Sequence, residues 1–381
     1  MAALSAVAPS TPFSEALRQR GGATVARCYQ CATCSSVCGL ASEDSPFPRR
    51  QILWAQWGLA DRLVRDPAVW LCHQCNDCTW RCPRDTRPGD VLQTVRALVI
   101  EMLAYPKALG QLVGRAGTTW PLLIGAPILF WIAVLAGIGH LSVPQGALVY
   151  GDFVPHWLIY SVFFPVAGWV VYASWVSGRR FWILLGEGSP RSGSFLSHLP
   201  PVVMEIATHK RFASCEAAKP RRTGHLLLLW GFIGAAITSG LLVLALYILH
   251  SEMPLPQVHP FKILGNISGV LLVVGGFLLV RHRLVDADQT GASTAFDTFF
   301  LTVVVTVIAT GVLAEVGRFY LPANLACGVY VIHLGVVLSL FLSFPYSKFA
   351  HVMYRTLALV HARMVTPPLL PLSSPQSLLE G

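Results

Sequence analysis

Of 381 residues, 54% are hydrophobic and 12% charged, and the mean hydropathy is +0.57. That much apolar surface does not fit inside one small core, which excludes an ordinary soluble domain. The net charge of +9 needs no nucleic-acid partner, because basic loops facing an anionic leaflet account for it.

Residues 1–27 carry Glu15, Arg18, Arg20 and Arg27 and lack an apolar run of the secretory kind, so they read as an N-terminal extension. Next come eight of the ten cysteines, in two copies of one spacing: Cys28, Cys31, Cys34 and Cys38, then Cys72, Cys75, Cys78 and Cys82 followed by Pro83. Gly39 stands where the second copy has proline. In such runs three closely spaced thiolates hold one cluster and the fourth closes the neighbouring one. The spacing therefore predicts one 4Fe-4S cluster on Cys28, Cys31, Cys34 and Cys82 and another on Cys72, Cys75, Cys78 and Cys38. Zinc is the competing reading, but the even triple spacing and the terminal proline are not expected of it. Disulfides do not suit a segment without a leader. Cys215 and Cys327 have no cysteine at metal spacing and are expected to stay outside the clusters.

Between the motifs, Pro48 to about Val64 reads as a helix with apolar Ile52, Leu53, Trp57, Leu59 and Leu63, and a second helix is expected from Gly89 to Leu103. The fold class expected is all-α: a helical ferredoxin-like domain over residues 28–112, then a six-helix transmembrane cytochrome b bundle over 113–355. The spans fall near 118–139, 156–178, 225–249, 262–281, 297–315 and 324–347. A flexible tail is expected over 356–381, rich in proline, serine and leucine from Thr366. Basic residues crowd the 180–222 loop, and Arg281, Arg283, Lys348, Arg355 and Arg363 mark the same side, whereas the opposite loops hold only Arg318. The positive-inside rule then puts the cluster domain and both termini in the cytoplasm.

Histidines are expensive in hydrocarbon and there commonly pair or bind metal. His333 and His351 are eighteen residues apart, five turns of one continuous helix, which would place both on one face about 27 Å apart. That spacing fits a stack of two b-type hemes. His225 opens the third span level with His351, giving the first heme pair, and His250 is the candidate partner for His333, on the same face as His225 but about 10 Å too high along a continuous helix. His140, His156 and His259 lie at the outer edge, and His140, His156 and Lys262 are candidates for contacting a quinone.

The segments CYQCATCSSVC, DPAVWLCHQCNDCTWRCPRD and GDVLQTVRALV resemble the small iron–sulfur subunit of heterodisulfide reductases. HLGVVLSLFLSFPYSKFAH and GVLLVVGGFLLVRHRL resemble the cytochrome b subunits of respiratory nitrate reductase and of heterodisulfide reductase. The resemblance puts His333 and His351 on that family's paired ligands and His225 on the first partner ligand, while Ala235 stands at the second. One or two b-type hemes are therefore implied. The fusion of the two modules is similar to the membrane subunit of quinone-interacting membrane-bound oxidoreductase complexes. It implies a bacterial inner-membrane protein, soluble flavin and iron–sulfur partner subunits, an indirect link to adenylylsulfate reductase in sulfur metabolism, and a membrane quinone as substrate. No CCG-type cysteine motif and no nucleotide-binding glycine fingerprint is present in the sequence.

The leading expectation is thus an electron-transfer subunit, with Arg81, Arg84 and Arg87 raising cluster potential and attracting an acidic partner. The alternatives are a membrane subunit of a heterodisulfide-reductase-like or sulfite-reductase-linked complex, and a non-catalytic redox sensor or membrane anchor.

Overall fold

The computed structural model describes residues 8–144, 148–187, 191–210, 219–285 and 291–365. Helix dominates, and the one β-type pairing among the described residues is an isolated bridge between Arg191 and Val365. The expected all-α class holds.

The N-terminal part is built from α1 (Thr11–Leu17), α2 (Arg49–Gln56), α3 (Ala60–Arg65) and α4 (Pro88–Leu103). One helix was expected over 48–64, but the chain turns at Gly58. Its φ of +68° is a left-handed conformation, and a Cβ there would collide with Ser14 Oγ, so the run splits into α2 and α3. Ile52, Leu63, Val69, Val91, Val95 and Val99 form the core, joined by Phe13 and Leu17 of α1. Residues 11–27 thus belong to this core and are not a loose extension.

After the short α5 (Lys107–Gly114) come six helices long and apolar enough to cross a bilayer. They are α6 (Ala116–Gly137), α7 (His156–Gly186), α9 (Lys219–Tyr247), α10 (Pro260–Val285), α11 (Ala295–Tyr320) and α12 (Ala323–Ser343), with α8 (Phe195–Thr208) following α7. The fourth and fifth, expected to be the shortest, are 26 residues each because their charged flanks stay helical. α12 is the most buried of the spans.

Two expectations are corrected at the C-terminal end. His333 and His351 do not share a helix. Pro345 follows the end of α12, Ser347 is extended, and its side chain accepts from the Phe349 N–H at 3.4 Å to restart the chain, with α13 (His351–Met364) beginning at His351. The expected tail is therefore helical to Met364 rather than flexible from 356, and Thr366 onward lies outside the described residues. α13 is apolar on one face, and Tyr354, Ala358, Leu359 and Val360 are buried in the same core as the N-terminal helices. Phe181 and Leu185 of α7 and Val202 of α8 enter that core too. The N-terminal domain is thereby fused to one end of the bundle, where Arg180 donates to the carbonyls of Leu103 and Ala104 at 3.2 and 2.9 Å.

Candidate functional site

The two cysteine loops fold alike. Gln30 and Ala32 in the first, and Gln74 and Asn76 in the second, all have positive φ, and each loop runs into a single-turn helix, Thr33–Ser36 or Asp77–Trp80. A left-handed non-glycine residue costs about 1–2 kcal/mol, and such residues persist where surrounding structure dictates them, as at ligand clamps. Here the contorted path brings the cysteines round to one side. The Gln74 N–H donates to Cys72 Sγ at 3.3 Å and the Thr86 N–H to Cys82 Sγ at 3.4 Å. These contacts hold the two sulfurs in place, as suits a ligand role.

A small pocket is lined by Cys28, Cys31, Cys34 and Cys82, with Tyr29, Arg49 and Arg84 beside them. Burial pushes the Cys34 thiol up to about 11, and Cys28, Cys82 and Cys31 add to the rise. Burial also raises the Cys78 thiol, reinforced by Cys72, Cys38 and Cys34. The chain thus gathers Cys82 with the first triplet and Cys38 near the second. Among the described residues no three His, Cys, Asp or Glu side chains group tightly enough for a single metal ion. The four sulfurs of the first set instead line a pocket, as suits a cluster bridging several sulfurs. Cys327 is buried in α12, away from both loops, and Cys215 lies outside the described residues.

His225 and His351 meet from α9 and α13 with ring centres 6.1 Å apart. Two imidazoles sharing one iron, each at a metal–nitrogen bond of about 2 Å, have ring centres about 6 Å apart. Their hydrogen bonds set the tautomer of each ring. The Lys348 carbonyl can only accept, so His351 Nδ1 carries the proton donated to it at 2.5 Å. His209 Nδ1 likewise donates to the Ile206 carbonyl at 2.6 Å, which leaves its Nε2 to accept from His225 Nδ1 at 2.7 Å. Both rings therefore carry their proton on Nδ1, the tautomer of a histidine that binds metal through Nε2. Burial holds His209 below its ordinary range and pushes His351 down to about 4, so both are neutral near pH 7.

His333 follows the same rule. The Thr310 hydroxyl donates to the Thr306 carbonyl at 2.6 Å and accepts from His333 Nδ1 at 3.0 Å. Among the described residues no second imidazole is brought to it. His250 lies past the end of α9 in a left-handed turn with φ of +50°, exposed, so the extrapolation of its position along a continuous helix fails. His259 accepts from the Phe261 N–H at 3.3 Å at the start of α10, and His156 packs on Gly151 at the start of α7. Lys262 is bound to Glu315 at 2.7 Å, which also pairs with Arg318. His140 closes the end of α6, its N–H donating to the Leu135 carbonyl at 2.9 Å.

The sequence reading passed over the groups around these sites: His209, Arg96, Arg221 and Arg355. The last two lie one turn from His225 and His351, a spacing visible in the chain. Arg96 donates to the Val69 carbonyl at 2.8 Å and to the Cys72 carbonyl at 3.3 Å. Of the arginines expected near the clusters, Arg84 stacks over Tyr29 at 4.1 Å and Arg87 pairs with Asp90 at 2.8 Å, while Arg81 caps the single-turn helix Asp77–Trp80.

The comparisons with known proteins divide the chain in the same way. A 4Fe-4S dicluster domain matches residues 24–86, and the citrate utilization protein B family matches residues 122–366. Citrate utilization protein B of Escherichia coli is 27% identical over 310 residues, covering 76% of this chain and 80% of that protein. The C subunit of the H(2):CoB-CoM heterodisulfide,ferredoxin reductase of Methanothermobacter thermautotrophicus is 35% identical over 114 residues, 29% of this chain and 61% of its own length. A protein of Archaeoglobus profundus described as like the heterodisulfide reductase C subunit is 35% identical over 92 residues, 24% of this chain and 49% of its own. This chain thus spans 61% or less of the length of these two iron–sulfur relatives. No solved structure matches. With more than half of its residues under one family model, the chain belongs to the citrate utilization protein B family and joins that membrane region to an iron–sulfur domain like that of the heterodisulfide reductases.

Proposed function

We propose that the protein is a membrane electron-transfer subunit, passing electrons between a soluble flavin and iron–sulfur partner and the membrane quinone pool. Cys28, Cys31, Cys34 and Cys82 would hold one 4Fe-4S cluster, Cys72, Cys75, Cys78 and Cys38 the other, and His225 with His351 a b-type heme. When bound, these groups supply one-electron carriers. The chain's own residues fix their spacing, exclude water and set the charge around them. The observation that carries the reading is the approach of the His225 and His351 rings to 6.1 Å, each hydrogen-bonded through Nδ1, on two helices at the bundle end that bears the cysteine loops. His333 has the same tautomer but, among the described residues, no partner imidazole, which favours one heme over two.

The positive-inside pattern supports a cytoplasmic cluster domain in a bacterial inner membrane. The exposed Tyr29 and Arg84 around the first pocket suit docking of an acidic redox partner. Resemblance to quinone-interacting oxidoreductase complexes ties that partner to adenylylsulfate reductase. The match to citrate utilization protein B across most of the chain favours a second reading, in which the soluble partner acts in citrate utilization. Affinity capture of the intact complex from native membranes, followed by identification of the soluble subunits, separates the two.

The test of the common core is anaerobic purification of the full chain. Iron and sulfide matching two four-iron clusters, a low-spin b-type spectrum, and oxidation of the dithionite-reduced protein by a short-chain quinone are expected. Zinc in place of iron, or a chain without heme, would overturn it.

A further inference from the structure

Arg221 stands four residues before His225, and Arg355 four residues after His351. Each guanidinium is thus one turn from its histidine and on the same side of its helix. Both converge on one short stretch of backbone. Arg355 donates to the carbonyls of Trp70 and Cys72 at 3.1 and 3.2 Å and to His73 Nδ1 at 2.8 Å. Arg221 donates to the carbonyls of His73 and Gln74 at 2.5 and 3.3 Å. Every backbone carbonyl from Cys72 to Gln74 therefore accepts from a cation on a histidine-bearing helix, and Trp70 lies stacked on Tyr354 at 4.8 Å directly beside it. The first cysteine loop is treated differently: the Cys28 carbonyl accepts from the neutral Gln56 amide at 3.2 Å.

We propose that Arg221 and Arg355 are positioning residues that couple the Cys72–Cys75 loop to the His225–His351 pair, fixing the gap an electron crosses and raising the potential of the cluster on that loop. The proposal rests on the functional reading above. The step concerned would be transfer of one electron between that cluster and the heme iron, one oxidised by one as the other is reduced by one; no bond would be made or broken and no proton would move. Arginine suits the task because its charge is permanent and its planar fork reaches two carbonyls at once. A fixed cation beside a cluster favours the more negative, reduced state. Both arginines also restrain the loop against the helices, so a small relative movement of loop and bundle is resisted from two sides.

The experiment uses the full-length chain in membranes and compares Arg221→Gln and Arg355→Gln with Arg221→Lys and Arg355→Lys. Cluster potentials are read by EPR-monitored redox titration, heme potential by absorbance, and heme reduction by rapid mixing with a reductant that enters through the clusters. Each glutamine variant should lower the reduced-to-oxidised ratio of the Cys72-loop cluster at a fixed potential about tenfold, equivalent to about 59 mV for a one-electron couple. Heme reduction should slow about tenfold or more. The cluster on Cys28, Cys31, Cys34 and Cys82 should keep its potential. Lysine should restore the potential and leave the rate slow, because a point charge does not span two carbonyls. Where a glutamine variant fails to assemble, the lysine variant is read on the same quantities. Assembled variants with unchanged potential and rate, or an equal shift of both clusters, would overturn this proposal alone. Wild-type protein without clusters or heme would instead defeat the functional reading beneath it.

Discussion

The loops Cys28–Cys34 and Cys72–Cys78 carry left-handed residues at matching places, yet Tyr29 stands 69% exposed on the first while Trp70, just before the second, is 2% exposed under Tyr354. Like spacing has produced like backbone, and the surroundings have made the two unlike. The outer loop opens to solvent, with Cys31 exposed and Arg84 over Tyr29. Its partner is held by Arg96, Arg221 and Arg355 against the helices that bear the histidines. A pair of clusters on these loops would be ordered by that contrast, one facing a soluble partner and one facing the membrane. Local sequence sets the shape of each loop, and packing sets what that loop faces.

The contrast is broken most completely by removing the exit from the inner loop. His351→Ala, or His225→Ala, is expected to abolish the b-type heme spectrum and all quinone-linked turnover while EPR still shows both clusters. Retention of the heme spectrum in His351→Ala would mean that the inner loop does not feed this pair. Next in size is the crossover of ligands. Cys82→Ser should strip the cluster from the outer triplet, although Cys82 lies beside the inner one in sequence, and Cys38→Ser should strip the inner; variant-by-variant EPR and iron analysis reads the outcome, and loss of the sequence-adjacent cluster in each would reverse the assignment.

Anchoring should differ between the loops in stability as well. Trp70→Ala is expected to cost about 3–5 kcal/mol, against less than about 1 kcal/mol for Tyr29→Ala, because only the first empties a packed core. Thermal unfolding of both variants measures it, and equal losses would remove the distinction. A smaller effect of up to about 3 kcal/mol comes from His361 of α13, 1% exposed and pushed down to about 4 by burial, with Arg191 adding. The unfolded chain takes up a proton near pH 6.5 that the folded chain refuses until about 4, so stability is full above 6.5 and falls as pH drops through that window. His361→Gln should flatten this stretch of the pH–stability curve; an unchanged slope would place the acid sensitivity elsewhere. The smallest effect is expected from Cys215→Ser with Cys327→Ser, which should leave iron content unaltered, and any loss of iron would add a ligand to the list.

The cysteine loops and the six spans were legible in the chain because both signals are local. Ligand spacing is written over a dozen residues, and a span is a run of apolar side chains long enough to cross hydrocarbon. The histidines were half legible. His225 and His351 stood out as costly groups near a bilayer, but their level was extrapolated along a helix that Pro345 and Ser347 interrupt. His250, extrapolated along the same helix, stood about 10 Å too high for His333, and the chain in fact leaves α9 through a left-handed turn first.

By itself, then, the sequence determined two like runs of four cysteines, six apolar stretches, and histidines within or beside them. Tertiary structure alone decided that α13 is a helix buried in the N-terminal core, that His209 and Lys348 fix the tautomers of His225 and His351, and that Arg221 and Arg355 reach the Cys72 loop. The arginine contacts join residues more than 100 positions apart, and the tautomers depend on which acceptor happens to face a ring. No local pattern encodes such a meeting, because it is set by burying one face of α13 and the ends of α7 and α8 in a single core.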